Sequence, residues 1–343
     1  MKKRWSKWLV LVGVLVLIIG LFLPLPFYLE TPGTAENLSN FVRVDHKKDQ
    51  RAGKYMLTTV ALQQARPITY LWSKTQPFSE TISKDDLMGN DSSETFNQLQ
   101  TYEMQSAIND AIQVAYKKAG RSYQRKYLGI YVMSLMKRSQ FNGKLAIGDT
   151  VTMIDGHHFK SSTAFINYVK DKPVGTKVTV TYQHKGQTKK TTQRLIHLPN
   201  TKRSGLGITL VDHSTIKTKI PVKVTVSDIG GPSAGLMFTT AIYDQLTGGH
   251  LRKGRKIAGT GTMASNGVVG PIGGIDKKVV AANHEGATIF FAPDIPATAA
   301  MKKADPGYQN NYQVAKKAAK KIHSHMKIVP VKNFTDTVNY LAK

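Results

Sequence analysis

The sequence predicts an α+β chain of several domains behind an N-terminal transmembrane helix, and three observations carry that expectation. The stretch from Trp8 to Tyr28 is uncharged and dominated by Leu, Val, Ile and Phe. From Tyr127 to about Leu198, short β-branched runs are separated by glycine turns. The remainder alternates such runs with amphipathic helices that begin at glycine-rich turns. At 343 residues the chain is longer than one compact domain needs.

Charge and cysteine content narrow the chemistry. Lys and Arg number 48 against 22 Asp and Glu, so 48 − 22 leaves +26. Such a field attracts anions of any kind. The basic residues are scattered, with few aromatics interleaved and no recognition motif, so no specific nucleic acid is expected. Anionic lipid or a cell-wall polymer is the expected counterpart of this charge. The absence of cysteine excludes disulfides, Cys-based zinc sites, iron–sulfur clusters and a thiol nucleophile.

Lys2, Lys3, Arg4 and Lys7 precede the uncharged stretch, and no Lys or Arg follows it until Arg43. As a helix the stretch would cover about 31 Å, enough to cross a hydrocarbon core. Trp8 and Tyr28 sit where interfacial anchors are favoured, and the charge asymmetry keeps the positive end in the cytoplasm. A cleaved signal peptide would show a small-x-small site after the apolar run, and none is present. A single-pass membrane protein is therefore expected, its lipid contact through residues 8–28 and its bulk outside the cell.

Residues 1–28 thus read as cytoplasmic tip and anchor, and 29–125 as a membrane-proximal α/β region. Within the latter, Pro32-Gly33 predicts a turn, Gly53 to Leu62 a strand, and Ser79 to about Gly120 helical spacing. Met104, Ile108, Ala111, Ile112 and Ala115 form a stripe that predicts core packing.

Tyr127 to Val132 predicts a strand entered through Gly129, followed by a strand from Val151 to an Asp155-Gly156 turn. A helix over Ser161–Lys170 and a strand over Lys177–Tyr182, turning at Lys185-Gly186, complete the segment. The Leu-Gly-Ile entry, the block Gly148-Asp149-Thr150-Val151 with Ile154-Asp155-Gly156, the helix and the hairpin together resemble a bacterial PDZ domain, over 126–199. That resemblance implies capture of an extended peptide as an added strand, its carboxylate held at the loop Tyr127, Leu128, Gly129 and Ile130.

Ile220 to Val226 predicts a strand, followed by Gly230-Gly231-Pro232-Ser233-Ala234-Gly235 and a helix through Leu246. A serine between a glycine turn and a helix start sits near free N–H groups that can hold an oxyanion. A capping serine would look the same. The histidine pairs His157-His158 and His323/His325 lack an H-E-x-x-H frame, and none of the ten histidines has a sequence link to Ser233. A buried lysine is the alternative base. Gly270-Pro271-Ile272-Gly273-Gly274 opens a helix carrying Lys277 and Lys278, which periodicity does not separate.

The Gly-Pro-Ser-Ala-Gly block and the Pro-Ile-Gly-Gly turn, about forty-five residues apart, resemble the proteolytic domain of the Lon family. With the anchor and the PDZ-like segment, the chain resembles the membrane-anchored PDZ–Lon-type serine proteases of Gram-positive bacteria, 200–343 being the Lon-type domain. The resemblance implies Ser233 as nucleophile, Lys278 as base, and Thr260, Gly231 and Pro232 in support. It also implies peptide or unfolded protein substrates, no cofactor, no metal and assembly into homo-oligomers. The family's acidic residue three positions before the serine is replaced by Gly230, Asp228 lying two further back. The ATPase module of the ATP-dependent members is absent from the sequence, which makes an ATP-independent peptidase coherent. The rival expectation is an inactive PDZ-type peptide-binding module at the cell surface.

Overall fold

A computed structural model describes residues 11, 20–89, 91–199, 201, 203–226, 229–304 and 306–343. Most of the expected span at residues 8–28 lies outside them, but its end is not helical as expected: Phe27 and Tyr28 open a strand and pair with Ser83, Ile82 and Gln64. Among the described residues no helix is long and apolar enough to cross a membrane.

Along the chain run strands β1 (Phe27–Asn37), β2 (Val42–Val44) and β3 (Lys54–Gln64), helix α1 (Pro67–Ser73), strand β4 (Glu80–Ser83) and the long helix α2 (Ser93–Lys118). The middle contains β5 (Tyr123–Leu135), β6 (Thr150–Ile154), α3 (Ser162–Lys170), β7 (Lys177–His184), β8 (Gln187–Arg194) and β9 (Ile208–Thr218). Then come β10 (Val222–Val224), α4 (Gly235–Leu246), β11 (Lys256–Gly259), α5 (Ile275–His284), β12 (Ile289–Pro293), α6 (Asn311–Lys321) and β13 (Lys327–Val331).

One mixed sheet, in the order β13-β12-β11-β3-β1-β4, carries the architecture. Its β13-β12-β11-β3 half is parallel, and β1 pairs antiparallel with β3 and β4. Successive side chains of a strand point to opposite faces, and the two cores follow that alternation. Tyr55, Leu57, Ile257 and Phe291 face α2 and α4, while Met56, Ala258 and Phe290 face Val279 and Ala282 of α5 and Ala315 of α6. The stripe Met104, Ile108, Ala111, Ile112 and Ala115 is buried as expected.

The second sheet, β8-β7-β6-β5-β9, surrounds its own core of Ile130, Val132, Val151, Ile154, Phe165 and Val180. Its β7–β8 hairpin turns at Lys185-Gly186, both with positive φ (48° and 81°), as a type I′ turn requires.

Three expectations need correction. Pro32-Gly33 does not turn: it lies inside β1, where the register with β3 shifts between Pro32 and Ala35. A bulge accommodates the proline's missing N–H, and the backbone packs so closely that a Cβ on Gly33 would lie 2.4 Å from Thr59 Oγ1. The region 29–125 is not a separate membrane-proximal unit, because it gives β1, β3 and β4 to the main sheet. Nor does a boundary fall at 200, since β9 lies beyond it yet completes the second sheet.

Candidate active site

The serine is presented by a turn that only glycine can enter. Gly231 has φ +83°, and its N–H donates to Gln100 O of α2 at 3.0 Å. Pro232, Ser233 and Ala234 form a single 3₁₀ turn that runs straight into α4 at Gly235. Gly235 is equally constrained, because a Cβ there would lie 2.9 Å from Met263 N. The carbonyl of Ser233 accepts from Gly261 N at 2.8 Å and from Thr260 Oγ1 at 3.0 Å. The first amides of a helix lack intrahelical acceptors, so the segment following Ser233 is electropositive.

The lysine arrives on α5. Gly274, in the left-handed region with φ +63°, starts that helix. Lys277 and Lys278 are both almost fully buried, at 2% and 4% exposure, and structure separates what periodicity could not. Lys278 Nζ lies 2.6 Å from Ser233 Oγ and 3.3 Å from Thr260 Oγ1. Lys277 Nζ turns the other way, to Glu80 at 2.9 Å, Glu30 at 3.1 Å and Asp276 at 3.5 Å. Burial lowers the Lys278 pKa to about 8, with the charge of Glu30 opposing. Burial acts on Lys277 too, but the hydrogen bond with Glu80 and the charges of Glu30 and Asp276 outweigh it and hold that lysine above its ordinary value. One lysine is thereby tuned towards neutrality and its neighbour is locked as a cation.

Thr260 is buried and bridges the two arms through its hydroxyl. Ser233 and Lys278 open onto a cleft of about 1000 Å³ whose walls include Glu30, Thr59, Phe96, Gln100 and Gly230. Asp228 lies outside the described residues. The strand expected over Ile220–Val226 shrinks to β10, which pairs with β2 and does not line the cleft.

The PDZ-like loop is placed differently from the expectation. Tyr127, Gly129 and Ile130 pair with Ser214, His213 and Asp212 of β9, while Ile130 and Tyr131 pair with β6 on the other side. Leu128 sits at the adjoining bulge, 37% exposed. The edge that strand addition needs is therefore taken by the chain itself, and Asp212 Oδ1 also accepts from Ser162 N at the start of α3. Helix α2 joins this sheet to the turn bearing Ser233: Gln98 Nε2 donates to Tyr131 OH and Tyr102 OH to Asp212 O, each at 2.8 Å and each two residues from Gln100.

Glu30 is the charged cleft residue beside Lys278 that sequence reasoning missed. It is separated from Lys278 by most of the chain and carries no local motif; only the pairing of β1 with β3 and β4 delivers it. Glu30 stands directly opposite Glu80 in that register, a like-charge pair made tolerable by Lys277 between them. No histidine shares a hydrogen bond with Ser233 or Lys278 among the described residues. Nor do three or more His, Asp or Glu side chains there converge as a metal site.

Residues 173–341 match the family described as Lon protease (S16) C-terminal proteolytic domain, and residues 102–195 match the PDZ domain family. The chain thus carries a Lon-type (S16) serine peptidase domain behind a PDZ domain. Among curated relatives, a Lon protease of Anaeromyxobacter dehalogenans is 28% identical over 189 residues, covering 53% of this chain and 22% of the relative. A Lon protease of Flavobacterium johnsoniae is 37% identical over 87 residues, 25% of this chain and 10% of the relative. The chain thus spans less than a quarter of the length of either. A solved PDZ domain of the SdrC-like protein from Listeria monocytogenes is 38% identical, covering 25% of this chain and 90% of that one at a TM-score of 0.25. Strand β9 lies past the end of the PDZ match and within the Lon-type match.

Proposed function

We propose that the protein is a membrane-anchored, ATP-independent serine endopeptidase in which Ser233 and Lys278 form the catalytic dyad. The contact of 2.6 Å between Ser233 Oγ and a buried lysine whose pKa is lowered to about 8 carries this reading. Neutral Lys278 takes the Ser233 hydroxyl proton as Oγ bonds to the peptide carbonyl carbon. The same proton passes to the leaving amine as the C–N bond breaks, and water then hydrolyses the acyl-enzyme by the same route. Amides around Ser233 hold the oxyanion, and Thr260 keeps the lysine aimed. Acting without nucleotide, such an enzyme takes short peptides, flexible tails or unfolded segments as substrates.

The uncharged stretch from Trp8 up to the start of β1 and the basic residues before it support an anchor with the N-terminus in the cytoplasm and the catalytic domain outside. The pairing of β5 with β9 favours a PDZ domain that braces α2 over the cleft and gates it, rather than one that captures peptides at that edge. The same pairing weighs against an inactive peptide-binding module.

The full chain in detergent micelles, given unfolded casein without nucleotide, tests the dyad. Wild type cleaves, and Ser233→Ala and Lys278→Ala each lose at least about a thousandfold in kcat/KM with unchanged melting behaviour. Loss with Lys277→Ala and retention with Lys278→Ala would overturn the assignment. Equal cleavage of folded and unfolded forms of one substrate would remove the restriction to unfolded segments.

A further inference from the structure

Helix α1 turns its apolar side chains outward. Ile68, Leu71 and Trp72 are 42%, 63% and 55% exposed, and their i, i+3, i+4 spacing places them on one face. Tyr70 packs inward instead, its ring centroid 5.2 Å from that of Phe27. Phe22 and Leu23, where the uncharged stretch reaches the folded body, are exposed as well. The two apolar groups belong to the same end of the molecule. Leu25 N donates to Ala65 O at 2.8 Å and Ala65 N to Phe27 O at 2.9 Å, two residues before α1 begins. Single exposed apolar residues are ordinary, but a large aromatic and two aliphatics on one short helix mark a contact surface.

The chain itself indicates what covers that surface. The helix emerges beside the end of the uncharged stretch, so any bilayer that holds the stretch reaches α1. Tryptophan favours the headgroup boundary, and Arg66 and Lys74 bracket the helix with long cationic side chains suited to phosphate. Lys74 Nζ lies over the Tyr70 ring at 4.6 Å, on the flank of the apolar face.

We propose that α1 is an interfacial seat: its Ile68–Leu71–Trp72 face enters the headgroup–acyl boundary beside the anchor. The proposal rests on the anchoring reading and adds a second point of attachment to it. One span leaves the body free to swivel, whereas two contacts fix its orientation. Only about 10 Å of strand separates Phe27 from Glu30 of the cleft, so the seat holds the active site close to the membrane surface. Segments lying along that surface are the substrates it can reach.

The three tryptophans are Trp5, Trp8 and Trp72, so the full chain carrying Trp5→Phe and Trp8→Phe reports on Trp72 alone. This protein is reconstituted into phosphatidylcholine–phosphatidylglycerol vesicles, with part of the lipid brominated either near the glycerol end or near the methyl end of the acyl chains. The expected result is flotation with the vesicles, blue-shifted emission, strong quenching by the shallow bromines and weak quenching by the deep ones. Adding Leu71→Ser and Ile68→Ser should shift emission to the red and abolish the quenching while flotation persists. Flotation with Trp72 unquenched by either lipid and open to iodide overturns the seat and leaves the anchor standing. Blue-shifted emission that depends on protein concentration, with no bromine quenching, overturns it in favour of a second copy of the chain. Failure to float overturns both readings.

Discussion

Lys277 and Lys278 are neighbours in sequence with opposite electrostatic fates, and that opposition gives the site a measurable signature. A base must be neutral to accept the serine proton, so kcat/KM should rise with pH through about 8, where Lys278 deprotonates. Glu30 raises the Lys278 pKa and Lys277 neutralises Glu30. Glu30→Gln removes the opposing charge, and the acid limb should move to lower pH. Lys277→Met leaves Glu30 uncompensated, and the limb should move to higher pH. Each displacement should be on the order of one pH unit, read from kcat/KM profiles on one peptide. Two shifts in the same direction would show that Glu30 does not act through charge. Ser233, Thr260 and the Lys277-Lys278 pair stand in short local blocks that a sequence displays, so these candidates were legible. Glu30 was not, since its role depends on a strand pairing between distant segments. The choice between the two lysines was also illegible, because it depends on which strands flank α5.

At the scale of elements, β5 is the strand whose setting differs most from expectation. Paired on both sides, it can admit no added peptide strand unless β9 leaves. Gly129 is the residue on which this packing turns: its φ is +149°, and a Cβ there would lie 2.3 Å from Val151 O. Gly129→Ala should destabilise the second sheet by about 1–3 kcal/mol, seen as a lowered urea midpoint. An unchanged midpoint would mean that β6 yields to a Cβ at Gly129 without cost. The alternation of β7 and the stripe of α2 were readable because each buries one face against a core, so burial leaves a period in the sequence. Strand β9 lacks such contrast, its residues being mostly half-buried. The polar edge strand β4 gave no apolar signal within a stretch that looked helical.

The whole molecule is organised by a sheet whose strands come from both ends of the chain, with the PDZ-like domain spliced between them. Sequence order suggested consecutive beads, because composition carries no record of which distant strands pair. The arrangement makes unbroken covalent linkage dispensable once folding is complete. Lys185, at the exposed tip of the β7–β8 hairpin, offers trypsin an accessible bond. A cut there should give two bands on a denaturing gel but one species in native electrophoresis, with peptidase activity retained. Loss of activity on cutting would mean that the halves do not hold each other. If they do, the fragment bearing Ser233 and Lys278 stays moored by the β3–β11, β5–β9, β7–β8 and β2–β10 pairings in place of a peptide bond. With the anchor proposed above, nicking by neighbouring proteases, or by the enzyme's own copies, would then leave a working split enzyme in place instead of shedding a free peptidase.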